Sequence, residues 1–548
     1  MFKWLKSGSP WIWLTGGAVS ISLLSVLGLL LLIGWKGLSY FWPAPLYQWQ
    51  TDQGQTLVGQ IYAKESIPIS HFREMDMDLP ADVIERGLVE RVRIKVANRD
   101  LYAADFISLL EVNLLPPTQP KHWAVIERSR DGDFFGQPVG YRLANGQFSK
   151  DFAPLLEQGL ALTERVNQQI DDLIEGDIRT ITAQARRLEQ EKRKRQLNGR
   201  LDDAFSQLYL EQSEQYRQAL IEAEATLDAL REQLSEQGLL VEDMTGQQVT
   251  IPLSQILDIW YPNQMSVGEK LMRWSVQAWK FLSDDPRESN SEGGVFPAMF
   301  GTVLLVLIMS VVVMPLGVVA AVYLHEYAGN NAFTRMIRVA VINLAGVPSI
   351  VYGVFGLGFF VYTLGGSIDA LFYQDQLPAP TFGTPGLLWS ALTLAVLTLP
   401  VVIVATEEGL TRIPSSVRHG SLALGATQFE TMWRIVLPMA SPAMITGLIL
   451  AIARAAGEVA PLMLVGAVKL ASSLPIDSQF PFLHLERKFM HLGFHIYDVG
   501  FQTTNIEAAR PLVYATSFLL VTVIVGLNLT AISIRNNLRE KYRTLGQD

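Results

Sequence analysis

Six apolar stretches, each long enough to cross a bilayer, restrict what this chain can fold into. They cover residues 11–34, 295–323, 339–364, 386–406, 440–466 and 511–534. About twenty residues at a helical rise of ~1.5 Å cross a hydrocarbon core of ~30 Å, so each stretch is a candidate transmembrane helix. In lipid the backbone must satisfy its own hydrogen bonds, which makes this part an α-helical membrane protein. Between the first stretch and the second lies a polar block, 44–293, long enough to bury a core of its own.

Charge divides the chain along the same line. Of the net −9, residues 44–293 contribute −13 and the remainder +4. An acidic block beside weakly basic membrane segments lacks the concentrated basic face that nucleic acid requires, so no nucleic-acid partner is expected. The chain has no cysteine, which excludes disulfides and thiolate metal sites. Eleven of the seventeen basic residues outside the block lie in four short segments: Lys3 and Lys6; Arg335 and Arg338; Arg412, Arg418 and Arg434; and Arg535, Arg539, Lys541 and Arg543. With six spans, all four segments fall on one side, which the positive-inside rule makes cytoplasmic. Both termini are then inside, and 44–293 is outside, in the periplasm of a Gram-negative cell. The expected location is the bacterial inner (plasma) membrane, multi-pass and in contact with membrane lipids. No small-residue cleavage site follows the first stretch, and Trp35, Tyr40, Phe41 and Trp42 form an interfacial aromatic belt, so it reads as a retained anchor.

Four parts follow: 1–43, the N-terminus and first helix; 44–293, the insert; 294–534, a five-helix core; and 535–548, a cytoplasmic tail. The insert has two textures. From 47 to 150, alternating runs such as Arg91–Val96 and Trp123–Ile126 read as half-buried strands, with turns at Asp131-Gly132 and Asn145-Gly146. A strand return is expected over 241–262. From 154 to 237, apolar residues step by three and four on either side of Asn198-Gly199, which predicts an antiparallel coiled-coil hairpin. Arms of about forty residues would make a finger of roughly 60 Å. Its basic tip, Lys192–Arg195, reads as a solvated helix end or as a contact for an acidic partner or anionic headgroups.

The polar stretch 407–437 separates two apolar spans and holds Gly425 nine residues before Ile435-Val436-Leu437-Pro438. Gly425 can adopt positive φ and turn the chain between two short helices. Pro438 suits the first turn of the next span. Phe429, Met432, Trp433, Ile435 and Val436 either fill a cleft in a partner or pack back on the bundle. The following span carries Arg454 and Glu458 in its apolar interior, where a charge costs at least ~3 kcal/mol. Four residues apart on a helix, they share a face. Counted from Ala440, Arg454 sits roughly 21 Å along the helix, somewhat beyond mid-bilayer. Its planar fork suits an oxyanion, with Glu458 neutralising it when the path is empty; the alternative is a structural ion pair. His484, His491 and His495 lack regular ligand spacing, so no metal is assigned.

The Gly425-x9-Ile435-x-Leu437-Pro438 pattern resembles the second part of the EAA motif of ABC-importer permeases. More narrowly, the chain resembles phosphate-importer permeases of the PstA type. The resemblance rests on Pro297–Thr302, Asn343–Gly353, Ala405–Glu408, Leu422–Thr427 and Ala453–Pro461, with a weaker echo at His495–Tyr497. His419-Gly420-Ser421 stands where the motif's Glu-Ala-Ala is expected, and Thr411 where such permeases often carry Arg. The resemblance implies an ABC type I importer permease-like core, with His419, Gly420, Ser421, Gly425, Phe429, Trp433, Ile435, Leu437 and Pro438 forming the surface that meets the ATPase. It further implies a sister permease subunit, a dimeric cytoplasmic ATPase and a periplasmic phosphate-binding protein as partners. Arg454 and Glu458 would then line the phosphate pathway.

No G-x-x-x-x-G-K-[ST] loop occurs, so the chain cannot be the ATP-binding subunit. No nucleophile–base set in a polar pocket is evident, and neither a cofactor nor a catalytic residue is expected. Two other functions stay open: a permease for another oxyanion such as phosphonate, sulfate or molybdate, and a membrane-anchored sensor or scaffold.

Overall fold

Apolar residues on every face allow a helix to be lipid-exposed and still stable. The computed structural model describes residues 9–52, 54–69, 81–102, 104–329, 331–503 and 506–544; Lys3 and Lys6 lie outside them. Among the described residues six helices are long and apolar enough to cross a membrane: Trp11–Ser39, Phe296–Tyr327, Ser349–Phe372, Leu387–Thr411, Gln428–Gly457 and Ile506–Glu540, here spans one to six. The chain divides into two compact units, one of Met1–Tyr40 with Lys280–Asp548 and one of Phe41–Trp279.

Span four is the centre of the membrane unit. Its Leu387, Ala391, Leu394 and Val402 pack with Leu305, Met309 and Val313 of span two and Ala451 and Ala455 of span five. Lipid supplies little hydrophobic drive between helices, so small residues and close backbones must hold them together. A Cβ on Gly317 would lie 2.6 Å from Val402 Cγ1, and one on Gly447 would lie 2.7 Å from Ala405 Cβ. Gly37 performs the same service for span one, where a Cβ would come within 3.0 Å of the Tyr514 carbonyl of span six.

Three elements differ from the sequence reading. Span three begins at Ser349, not near 339, because Pro348 separates it from an independent helix, Ala332–Leu344, capped by Asn331. Proline disfavours helical backbone in the residue before it, so the apolar run breaks there rather than kinking. Span five runs Gln428–Gly457 rather than 440–466, and a separate short helix, Ala460–Val465, follows. The histidines, which the six-span reading assigns to a loop between spans five and six, lie partly on a helix: Leu492–Phe501 packs inward with His491 and His495 buried. The Leu492 N–H donates to Thr302 Oγ1 of span two at 2.9 Å.

The second unit contains two antiparallel sheets. Strands β1 (Tyr47–Gln50), β2 (Thr56–Pro68), β3 (Leu88–Lys95) and β4 (Phe106–Leu110) follow one another in sequence order. The other sheet joins β5 (Ala124–Arg128), β6 (Phe134–Arg142), β7 (Phe148–Ser149), β8 (Gly238–Glu242), β9 (Gln248–Pro252) and β10 (Ile256–Trp260) in the order β10-β5-β6-β8-β9, with β7 also on β6. The strands after the helices thus rejoin the sheet of β5 and not that of β3. The turns at Asp131-Gly132 and Gly146 have positive φ, as their residue types favour.

Between β7 and β8 lie the helices Ala153–Asp172, Arg179–Leu197 and Asp203–Ser235, the first two joined by a π-turn. The chain reverses at Gly199 (φ +64°), and Asp202 caps the returning helix by accepting from the Phe205 N–H at 2.8 Å. At the tip, Lys192 Nζ lies 3.9 Å from the Tyr209 ring centroid and the Arg195 guanidinium 4.0 Å from that of Phe205. Two of the four basic tip residues are therefore spent within the hairpin.

Candidate functional site

Two places in the membrane unit carry unusual chemistry: the turn before span five and the break after it.

The turn is built by Gly425. The helix Ser415–Ala423 ends, Gly425 takes φ +88°, and Thr427 then starts span five with a capping box: its side chain accepts from the Glu430 N–H while Glu430 accepts from the Thr427 N–H. A Cβ on Gly425 would meet no atom within 4 Å, so glycine is required here by backbone conformation alone. Ser421 and Thr431 join the two helices across the turn, their hydroxyls 2.8 Å apart and buried.

The turn's apolar residues divide between two directions. Met432 and Val436 pack with Leu410, Ile413 and Ala440. Phe429 and Trp433, one helical turn apart, face out with rings stacked at 6.4 Å and 7°. They are 68 % and 65 % exposed, and Leu424 beside them is 91 % exposed. His419 and Gly420 are also exposed, Ile435 and Leu437 are half-buried, and Ser421 faces inward. Of the expected docking residues, the structure thus offers His419, Gly420, Gly425, Phe429 and Trp433 to the outside. Pro438 does not open a helix, because span five is continuous through it. A π-turn at Met432–Val436 precedes the proline, and such a widened turn accommodates a residue with no N–H to give.

Behind the turn lies a polar network that no local pattern announced. Arg418 Nη2 donates to Glu326 Oε1 at 2.8 Å and to the Leu410 carbonyl at 2.9 Å, and Nη1 donates to the Ile413 carbonyl at 2.8 Å. His325 lies 2.9 Å from the same Glu326 oxygen and 3.2 Å from Thr411 Oγ1. Glu326 and Arg418 are 92 residues apart, so the charges alone were legible and their union was not.

The break lies at Glu458. Gly457 ends span five; Glu458 leaves the helix at φ −80°, ψ 130°; Val459 and Pro461 lead into the next short helix. Arg454 sits in the last turn, where the unpaired carbonyls of a helix end favour a cation. Its Nε is 3.5 Å from Glu458 Oε1, with side-chain exposures of 31 % and 20 %. The two charges meet as the sequence implies, across the last turn of span five, with Glu458 the first residue outside the helix. Among the described residues Arg454 makes no hydrogen bond. The break is held from two sides: a Cβ on Gly353 would lie 2.7 Å from Pro461 Cα, and one on Gly493 2.7 Å from Val459 Cγ2. Gly356 is equally confined against Thr393, whereas Gly358 faces open space and Gly346 approaches only Asn343.

His491 and His495 belong to the element that touches Val459. The His491 Nδ1 accepts from the Gly493 N–H at 3.1 Å and caps the helix; its Nε2 and both nitrogens of His495 have no partner among the described residues. Burial pushes both imidazoles down to about 4, so both are neutral at physiological pH. His484 sits between Asp477 (2.9 Å) and Glu486 (3.1 Å). Among the described residues no group of three or more metal-ligating side chains comes together.

Comparison with known proteins gives this arrangement its class. The sequence pattern of the family described as binding-protein-dependent transport system inner membrane component matches residues 313–543, which include the Gly425 turn and the Arg454 break. The phosphate transport system permease protein PstA 1 of Mycobacterium tuberculosis is 35 % identical over 244 residues, 44 % of this chain and 71 % of its own length. The PstA of Mycobacterium leprae is 34 % identical over the same share of each chain. A probable ABC transporter permease of Bacillus subtilis, YqgI, is 30 % identical over 47 % of this chain and 83 % of its own. The chain belongs to this family of multi-pass inner-membrane permeases, in its PstA branch.

Proposed function

We propose that this chain is the permease subunit of an ATP-driven importer of inorganic phosphate, and that Arg454 meets the anion on its way through. The observation that carries the role of Arg454 is its under-satisfied state: a permanently charged guanidinium inside the membrane unit, with one carboxylate at 3.5 Å, beside unwound backbone. Such a fork is free to take two phosphate oxygens, and a helix interrupted within a membrane protein leaves backbone polar groups available to a substrate. Glu458 balances the charge while the path is empty and yields it when phosphate arrives.

The chain performs no chemistry of its own. Energy enters at the Gly425 turn, where Phe429, Trp433 and Leu424 offer an apolar ridge to a dimeric cytoplasmic ATPase, and where Met432 and Val436 tie the ridge to spans four and five. A sister permease completes the pathway, and a periplasmic binding protein delivers phosphate. This topology has both termini in the cytoplasm and residues 44–293 in the periplasm, with the helical hairpin as a coiled-coil finger. It rests on the distribution of Arg and Lys and on the fit of the family's docking turn to the cytoplasmic side.

Labelled phosphate uptake by Arg454→Gln tests the reading. The expected result is an assembled complex with uptake lost. Normal uptake would remove Arg454 from the pathway. Full competition by sulfate against labelled phosphate would replace phosphate with a broader oxyanion specificity.

A further inference from the structure

The helix Val267–Ser283 lies outside the six spans and carries an apolar stripe that stays exposed among the described residues. Val267, Leu271, Met272, Val276 and Trp279 are all exposed, Met272 at 71 % and Trp279 at 69 %. At 100° per residue, Leu271, Met272, Val276 and Trp279 occupy one side of the helix. Arg273, Gln277 and Phe281 occupy the other, where Arg273 pairs with Asp258 at 3.2 Å and stacks on Trp260, and Phe281 is buried. A helix whose polar side packs on protein and whose apolar side faces out has its amphipathicity inverted for a water-exposed position.

The C-terminal end of this helix is fastened to the mouth of span two. The Val295 N–H donates to the Phe281 carbonyl at 2.8 Å, the Phe296 N–H to the Asp284 carbonyl at 3.3 Å, and a Cβ on Gly294 would lie 2.2 Å from that same carbonyl. Phe296 is the first residue of span two. The last turn of the 17-residue helix is therefore hydrogen-bonded to the residue that precedes span two. Tryptophan beside aliphatic residues is the composition that settles between headgroups and acyl chains.

We infer that Val267–Ser283 is an interfacial anchor that lies in the headgroup region of the bilayer, its stripe immersed in lipid, and that it ties the 44–293 insert to the membrane surface. The occupant of the stripe is lipid and not a protein partner. The inference holds whichever anion the permease carries.

The cysteine-free chain gives a direct test. Single cysteines at Met272, Val276 and Trp279, with Glu214 as an exposed control on the hairpin, carry a nitroxide in the full chain, assembled with its partners in phosphatidylethanolamine–phosphatidylglycerol nanodiscs. Collision with oxygen and with a water-soluble nickel chelate is then read at each site. The expected result is a severalfold higher oxygen-to-nickel ratio at 272, 276 and 279 than at 214, with mobile spectra. Equal ratios at all four sites would place the stripe in water and overturn the inference. Immobilised spectra shielded from both reagents would mean a covering protein and would overturn it equally.

Discussion

Arg128 of the insert is fully buried and Arg454 of span five is about a third exposed, and their surroundings differ in kind. The Arg128 side chain is 1 % exposed; it meets both oxygens of Asp100 at 3.0 Å, the carbonyls of Gly132 and Asp131 at 3.0 and 2.9 Å, and the Phe134 ring at 5.2 Å. Those contacts satisfy nearly all of its donors. Arg454 has one carboxylate at 3.5 Å and unwound backbone beside it. A saturated arginine can only hold structure, because any ligand would have to displace bonds already made. An under-satisfied one, in a place where charge is costly, retains capacity for an anion. Bonding saturation therefore separates the two arginines in the same sense as burial does.

Opposite failures should follow from removing each. Arg454→Gln is expected to lower phosphate uptake by at least roughly 10- to 100-fold, the worth of a charge-assisted hydrogen bond of about 1.5–3 kcal/mol, while the complex still assembles and melts near the wild-type temperature. Arg128→Met should remove the donors to both oxygens of Asp100 and to the Gly132 and Asp131 carbonyls. Breaking one side of a buried pair costs about 3–5 kcal/mol, so limited proteolysis of the full chain should cut within 41–279 far faster than in wild type. If Arg454→Gln melts early with uptake reduced only in proportion, the contrast between the two arginines collapses.

The buried histidines sharpen the contrast from the side of protonation. His491 and His495 are held at about 4, against ~6.5 in an unfolded chain, so between those values the unfolded state takes up protons that the folded state refuses. The stability this contributes is complete above about pH 6.5 and is lost as pH falls toward 4, by up to roughly 3 kcal/mol for each ring. The melting temperature of the full chain should therefore drop between pH 7 and pH 5, and His491→Asn should flatten that slope. An unchanged slope would show that the ring is solvated in the folded state.

Much of the membrane unit is legible because its signals are local. Twenty apolar residues announce a span, and glycine followed by a capping pair announces the Gly425 turn. The break at Glu458 was announced too, by Gly457 and Pro461 on either side of it, but a continuous apolar run outweighed them in the reading. Pro348 carried the same kind of signal for the separate Ala332–Leu344 helix. The direction of Phe429 and Trp433, the burial of His495 and the pairing of Arg418 with Glu326 depend on partners far away in sequence, and no window of neighbours contains that information. In the insert, residue alternation marked the strands, whereas the division into two sheets depends on pairing across the hairpin.

Gly425→Ala sets the smallest effect against the largest. At φ +88° an alanine meets no neighbour, so the whole penalty is backbone strain, about 1–2 kcal/mol. That is too little to unfold a bundle held by spans two, four and five, and it falls on the segment that presents Phe429 and Trp433. Two responses are open to the turn: to keep its geometry under strain, or to relax φ and tilt the Ser415–Ala423 helix against span five, pulling on the Ser421–Thr431 bond. Relaxation moves the aromatic ridge while leaving the Arg454 break intact. The expected outcome is near-normal melting and normal phosphate-binding-protein association, with ATP hydrolysis by the assembled complex several-fold less responsive to the loaded binding protein. Uptake lost together with assembly would mean instead that the turn is a structural keystone of the bundle and carries no motion of its own.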